Sequence, residues 1–237
     1  MHVQHTIGER QYGTDDQYVC LERAVDEALG PLGRVLDVGA GGGDNVYVSD
    51  LRERGAELVG VDPDPAIGAN PFLDDALVGR IEDHADELAG GFDLVVAVYV
   101  LEHVETPIEF FEAVARCLTP TGTFLALTPN LTHYFGLAAM ITNRLAVDEV
   151  LLRRLRGPVV EEYHFPTRYR ANSTRAIVAA ADRARFASTD ITHLDDEGVF
   201  RPYLPGRLAR FSELYSRTVH HFELARAMGT LLVSCRR

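Results

Sequence analysis

At 237 residues the chain is long enough for one α/β domain with a full core. Its formal net charge of -12, from 35 acidic and 23 basic residues, argues against nucleic acid or an anionic membrane as a partner, since either needs a basic face. No apolar run is long enough to span a bilayer and no signal peptide or internal repeat is legible, so a cytoplasmic protein is expected. All the basic residues are arginine, a mark of a G+C-rich genome more than of function. Cys20, Cys117 and Cys235 share no metal-ligand spacing and read as buried thiols. In chain order, the first predicted element is a helix over residues 17–29, preceded by a polar start that contains Tyr12 and Gly13.

Next, Arg34-Val-Leu-Asp-Val38 reads as a buried strand that runs into Gly39, Gly41, Gly42 and Gly43. Glycines open backbone angles closed to other residues and let a ligand approach the main chain. A helix starting near Asn45 would aim its free N–H groups at the same crevice. Such a turn suits a cofactor that contains a nucleoside. The spacing Asp37-x-Gly39-x-Gly41-x-Gly43 resembles motif I of the class I S-adenosylmethionine-dependent methyltransferases. It differs from the dinucleotide fingerprint, whose third glycine falls two residues later. A carboxylate before the turn suits a cofactor with an ammonium and a sulfonium and would repel a pyrophosphate. The resemblance implies that Asp37, Gly39, Ala40, Gly41 and Gly43 hold S-adenosyl-L-methionine.

A second strand, residues 57–62, ends in Asp62, 19 residues past Gly43, where a carboxylate can accept from both ribose hydroxyls. Pro63 follows it. The third strand is expected over residues 76–83, and by resemblance Ile81 and Glu82 lie beside the adenine; Arg80 stands where relatives often carry an acid. The fourth strand, residues 92–100, includes Val98 and Tyr99 and leads into Leu101-Glu-His-Val104. Thr106 is a plausible N-cap and Pro107 a favoured first residue for the helix that follows. This order closely resembles the motif IV region of small-molecule methyltransferases of the ubiquinone-biosynthesis type. A turn at Thr119-Pro-Thr-Gly122 then precedes a strand over residues 123–128, and Thr128-Pro-Asn130 matches a subgroup of that family.

The implied architecture is a doubly wound, seven-stranded, mostly parallel sheet with an antiparallel last strand and a helical cap, a Rossmann-like fold. Residues 1–237 form one domain, divided into an N-terminal lid (1–33), a cofactor-binding core (34–130), a substrate-cap insertion (131–171) and the remainder of the core (172–237). The resemblance places Tyr12 near the sulfonium as part of the lid; a loose terminus with a surface tyrosine is the plainer alternative. A helix is expected over residues 133–156, another over 173–183, and strands over 186–193 and 229–236. Ala184-Arg185-Phe186 replaces the usual Ala-Gly-Phe. Between the last two strands, Leu204, Leu208, Phe211, Tyr215, Val219 and Phe222 recur at helical spacing, as on a helix packed on the core; a homodimer contact or a substrate wall is the sharper alternative.

In-line methyl transfer asks the protein mainly to align the acceptor and desolvate the sulfonium, and a hydroxyl acceptor adds the need for a base. His103, which follows the fourth strand, is the first candidate; His164 and His133, in the expected cap, follow. Each can equally be a structural histidine. No metal is implied, since Glu102, Asp148 and the histidines show no ligand spacing. The expected partner is a small-molecule acceptor, held in a cap containing Tyr134, Phe135, Tyr163, Phe165 and Tyr169. Two other readings stay open: an NAD-dependent oxidoreductase, favoured by the glycines and Asp62 alone, and a cofactor-binding module without transferase activity.

Overall fold

The computed structural model describes residues 1–30, 33–43, 51–137, 166–196 and 209–237. Strand β1 (His2–Ile7) leads into the short helix α1 (Gly8–Tyr12) and then α2 (Gln17–Ala28). Asp16 caps α2: one carboxylate oxygen accepts from the backbone N–H groups of Tyr18 and Val19. Strands β2 (Arg34–Val38), β3 (Glu57–Asp62) and β4 (Asp75–Val78) follow, then the one-turn helix α3 (Ile81–His84) and β5 (Phe92–Val98). Pro107 opens α4 (Pro107–Cys117), and β6 (Leu118–Pro129) returns beside β5. Thr106 occupies the N-cap position, with no hydrogen bond from its side chain. After α5 (Thr174–Arg183) come β7 (Ser188–Leu194), α6 (Ala209–His221) and β8 (Thr230–Arg236).

The strands form one sheet in the order β1-β7-β8-β6-β5-β2-β3-β4. Among the described residues only β8 runs antiparallel, paired with β6 on one side and β7 on the other. The described sheet thus has eight strands where the sequence predicts seven. The addition is β1, which pairs parallel with β7 at the edge. Its His-Val-Gln-His-Thr-Ile has neither a continuous apolar run nor clean alternation, so no strand signal shows in the residues themselves.

Near-continuous apolar stretches in β2, β3, β5 and β6 arise because both faces of these strands are covered. On one face Leu21, Ala24 and Val25 of α2 meet Val35, Leu94, Val96, Leu125 and Leu232. On the other, Phe110, Phe111 and Val114 of α4 join Ile177 and Ala180 of α5 over Leu36, Val95 and Phe124. Phe111 is fully buried and sets its edge against the rings of Phe124 (5.5 Å) and Phe186 (6.4 Å). Burying one such ring stabilises the fold by about 2–3 kcal/mol. Cys20, Cys117 and Cys235 are free thiols inside this core. With β2 at the centre and its neighbours running parallel, the carboxyl ends of β4, β3, β2, β5 and β6 share one edge, where open α/β sheets bind ligands.

Candidate functional site

Asp37 is the fourth residue of β2 and only 2% exposed. One residue beyond the strand the chain turns sharply: Gly39, Gly41 and Gly43 have φ of 80°, 52° and 105°. A Cβ on Gly39 would come within 2.4 Å of Val100 Cγ2, so the turn and the chain after β5 approach each other only because a glycine lies between them. A Cβ on Gly41 would meet nothing within 4 Å among the described residues, so this backbone is not covered by them. The turn is tied down from below. Gly39 N–H donates to Val61, Asn70 Nδ2 donates to the carbonyls of Ala40 and Gly41, and Gly41 N–H donates to Asp62 Oδ2 at 3.0 Å. Asp62 ends β3 and is 7% exposed; its Oδ1 accepts from Asp64 N–H at 2.7 Å. Oδ2 thus braces the glycine turn while Oδ1 holds the chain just after β3, and each oxygen keeps acceptor capacity for a further donor. Pro63 is exposed beside it, and Ala40 is buried under the turn.

Beyond β4, Gly79 turns the chain into α3, whose first residues are Ile81 (buried) and Glu82, with its carboxyl pushed up by burial. The strand stops at Val78, so both residues sit at a helix start and not in the strand that the sequence predicts. At the end of β5, Val98 is buried and Tyr99 holds φ of 56°. A non-glycine residue in the left-handed region costs about 1–2 kcal/mol and persists where surrounding contacts over-determine it. Here its N–H donates to Leu127 and its hydroxyl to Gln17 Oε1 at 2.7 Å. Gln17 is 3% exposed and also accepts from Thr230 Oγ1 at 3.4 Å. The first residue of α2 therefore bridges β5 and β8 at the carboxyl edge.

Past Tyr99, the turn Leu101-Glu-His-Val104 places two ionisable groups side by side. His103 is half-buried, with Nδ1 3.4 Å from the Pro166 carbonyl. Glu102 is buried, and the loss of hydration pushes its carboxyl up to about 7, against opposing hydrogen bonds from backbone and from Thr128. Thr128 Oγ1 donates to Glu102 Oε2 at 3.3 Å, and Asn172 Nδ2 donates to that hydroxyl at 2.6 Å. The Glu102 carbonyl accepts from the N–H groups of Arg168 and Tyr169, which fastens the segment leading to α5 onto the turn.

A methyltransferase domain model matches residues 13–182, well over half of the chain. The chain belongs to the methyltransferase domain family. Its class I, S-adenosylmethionine-dependent form accords with the sheet order and the antiparallel β8. Two ubiquinone biosynthesis O-methyltransferases are similar over part of their length: that of Vibrio campbellii is 33% identical over 125 residues (48% of this chain, 52% of the relative). That of Xanthomonas campestris is 37% identical over 111 residues (43% and 45%). The chain thus spans about half the length of the curated relatives it matches. Among solved structures, a SAM-dependent methyltransferase from Archaeoglobus fulgidus shares the fold with a TM-score of 0.57 at 13% identity, covering 97% of both chains. A SAM-dependent methyltransferase from Thermotoga maritima, a possible histamine N-methyltransferase, gives 0.56 at 15% identity, covering 96% and 93%.

In this family member the residues expected at the cofactor gather on one edge with one exception. Asp37, Gly39, Ala40, Gly41, Gly43, Asp62, Pro63, Ile81, Glu82, Val98 and Tyr99 all lie at or just past the carboxyl ends of β2, β3, β4 and β5, adjacent strands in the sheet. Tyr12 does not join them. It is 9% exposed against the sheet face, with burial pushing its hydroxyl up to about 12 and Glu27, Asp190 and Arg236 as charged neighbours. Because β1 anchors the terminus at the sheet edge, Gln17, and not Tyr12, is what the N-terminal segment brings to the end of β5. Gln17 and Glu102 escape sequence reasoning. Their one signal is a polar residue on an otherwise apolar helix face and an acid within the run Val98 to Val104.

His133 is 2% exposed just after β6, with its Nδ1 accepting from Phe135 N–H at 3.3 Å and its Nε2 4.0 Å from Asp195 Oδ1. Burial lowers its pKa to about 4, against the pull of Asp195, so the ring is neutral at physiological pH. It stacks with Tyr134 (4.1 Å) and Tyr215 (5.2 Å), which joins α6 to the chain after β6. The buried face of α6 is Ser212, Ser216 and Val219, while Phe211 (52%) and Phe222 (65%) are exposed. The apolar stripe predicted from spacing therefore turns only partly inward. Tyr134 and Tyr215 spend their hydroxyls on Ser212 and the Ala227 carbonyl, as tethered core aromatics do. Asn45, Asp148, Tyr163, His164, Phe165, Leu204, Leu208 and most of the helix expected over residues 133–156 lie outside the described residues.

Proposed function

We propose that the chain transfers a methyl group from S-adenosyl-L-methionine to a hydroxyl oxygen of a small-molecule acceptor. The observation that carries this reading is a buried Asp37 two residues before a glycine turn whose Gly41 is left uncovered by the described residues. When bound there, S-adenosylmethionine supplies an electrophilic methyl on a sulfonium. Asp37 offers negative charge to the amino-acid ammonium, and Asp62 keeps acceptor capacity for ribose hydroxyls. A pyrophosphate at the same turn would face two buried carboxylates, which argues against a dinucleotide. The O-methyltransferase relatives support oxygen as the acceptor atom.

His103 is the base in this proposal. It stands four residues past the left-handed Tyr99 and is partly open to solvent, whereas buried His133 has Nδ1 bonded to Phe135 N–H and Nε2 facing Asp195. The Pro166 carbonyl at its Nδ1 favours the tautomer with the proton on Nδ1, which makes Nε2 the basic nitrogen. Glu102 acts as a positioning residue, since its carbonyl and carboxyl lock the turn to residues 168–169 and to β6. Calorimetric titration with S-adenosylhomocysteine and, separately, with NAD tests the cofactor; micromolar binding of the first and none of the second is expected, and the reverse would overturn the reading. Release of S-adenosylhomocysteine with a panel of phenolic and aliphatic hydroxyl acceptors tests the reaction. Turnover with none of them, despite tight cofactor binding, would favour a binding module without transferase activity.

A further inference from the structure

The carboxyl edge carries a second group of reactive side chains, beyond β6 and away from the glycine turn. Glu9 of α1, Asp15 before α2 and His220 in the last turn of α6 converge, so that one ligand atom from each lies within 4.8 Å of the others. His220 Nε2 is 3.0 Å from Asp15 Oδ2 and 3.9 Å from Asp195 Oδ2, and Nδ1 is 3.7 Å from Glu9 Oε2. Asp195 is the first residue after β7. All four line a cavity of about 400 Å³ whose wall, among the described residues, includes two more aspartates and no arginine.

Acidic clusters are common on a chain this negative, and the cluster alone would be ordinary solvated surface. Asp195 makes it different. Its residue is 6% exposed, and its Oδ1 accepts from the Gly229 N–H at 3.2 Å. Its Oδ2, the oxygen nearer His220 Nε2, has no hydrogen-bond donor, and neither does the buried Oδ1 of Asp15. Leaving a buried carboxylate oxygen without a donor is costly, the more so where charge is involved. Two of them in one cavity, with one histidine as the basic group among the described lining residues, favour a cation there. A metal bound at about 2.0–2.2 Å holds neighbouring ligand atoms about 3.0–3.6 Å apart. An ion takes one ring nitrogen, and Nε2, with Asp15 at 3.0 Å and Asp195 at 3.9 Å, is the one placed for it; the exposed Glu9, 3.7 Å from Nδ1, joins by turning its side chain toward that ion.

We propose that Glu9, Asp15, Asp195 and His220 form a site for a divalent metal ion. A donor set of carboxylates with one imidazole suits manganese or zinc. Spacing along the chain could not reveal it, because the ligands come from residues 9, 15, 195 and 220 and meet only when β1 pairs with β7 and α6 closes over both. The ion would fasten the N-terminal segment to α6 beside His133, whose Nε2 faces the other oxygen of Asp195. This proposal is independent of the cofactor reading.

Manganese(II) chloride titrated into chelator-treated full-length protein tests it, followed by calorimetry and electron paramagnetic resonance. The expected result is one saturable site per chain, hyperfine coupling to a single imidazole nitrogen, and a rise in melting temperature. Asp15→Asn and His220→Ala should each weaken binding at least about tenfold and remove the thermal effect, while Asp15→Glu should restore part of the affinity. Absence of saturable binding to the native chain, or binding without nitrogen coupling, would overturn it and leave His220 as a plain ion-pair partner of Asp15. Binding retained by both Asp15→Asn and His220→Ala would do the same. If a variant fails to fold, the nitrogen coupling in the native protein still decides the matter.

Discussion

Glu102 and Arg185 show how single residues set local terms of the free energy. The Glu102 carboxyl, ordinarily near 4.5, is raised to about 7 by burial, so the folded state favours its neutral form. The stability it contributes is complete below about pH 4.5 and is lost as pH rises through about 7, a change of roughly 3 kcal/mol. Glu102→Gln keeps the acceptor for Thr128 and removes the titration. Urea unfolding of both proteins at about pH 5 and about pH 8 should show the variant gaining roughly 2–3 kcal/mol on the native chain across that interval. Equal pH slopes would mean that the carboxyl is not desolvated as described. His133 works in the opposite sense: its contribution is present above 6.5 and lost as pH falls toward about 4. Substituting His103 by Ala should lower turnover about 10²–10⁴-fold with little change in S-adenosylhomocysteine affinity, read by steady-state kinetics beside calorimetry. Arg185 has φ of 63° and closes α5: its N–H donates to the Asp182 carbonyl and the N–H of Phe186 to that of Ala181. A glycine at this position would meet the geometry without strain. Arg185→Gly should therefore raise the unfolding free energy by about 0.5–1 kcal/mol, and a loss of stability would show that Arg185 makes a contact worth more than the strain.

Among the elements, those legible from residues alone are the ones with two covered faces or strong caps. β2, β3 and β5 declare themselves by apolar runs that end in Asp37, Asp62 and Tyr99, and α5 by Ser173, whose Oγ accepts from Ala176 N–H. β6 runs longer than expected, because Leu118 pairs with Phe92 before the register shifts and Thr123 pairs with Leu94. A bulge of that kind depends on the partner strand and leaves no mark in the local pattern. β1 was invisible for the same reason: its strand conformation comes from β7, not from its own side chains. Being an edge strand far from β2, it should exchange its amide protons well before β2, β5 and β6, and deleting residues 1–7 should change S-adenosylhomocysteine affinity less than about threefold. By contrast, Phe111→Ala in α4 should cost about 3–5 kcal/mol in urea unfolding, since three aromatic partners lose their contact.

Across the whole molecule, one half of the site was readable and the other was not, and the difference is physical. The cofactor edge is built from short-range devices (strand, acid, glycine turn), each written in a few consecutive residues. Elsewhere on this edge Gln17 meets Tyr99, Glu102 meets Thr128, and Asp195 meets His133 and His220, contacts made only through the packing of α2, β6, β7 and α6. Among the described residues, no helix is long and apolar enough to cross a membrane. The central claim is that Asp37 supplies the negative charge on which the methyl donor's amino-acid end depends. Titrating S-adenosylhomocysteine into Asp37→Asn, a substitution that keeps size and removes charge, measures it directly. An affinity loss of about 10–100-fold, with melting temperature nearly unchanged in the absence of ligand, is the expected result. Native affinity in a folded Asp37→Asn protein would contradict it.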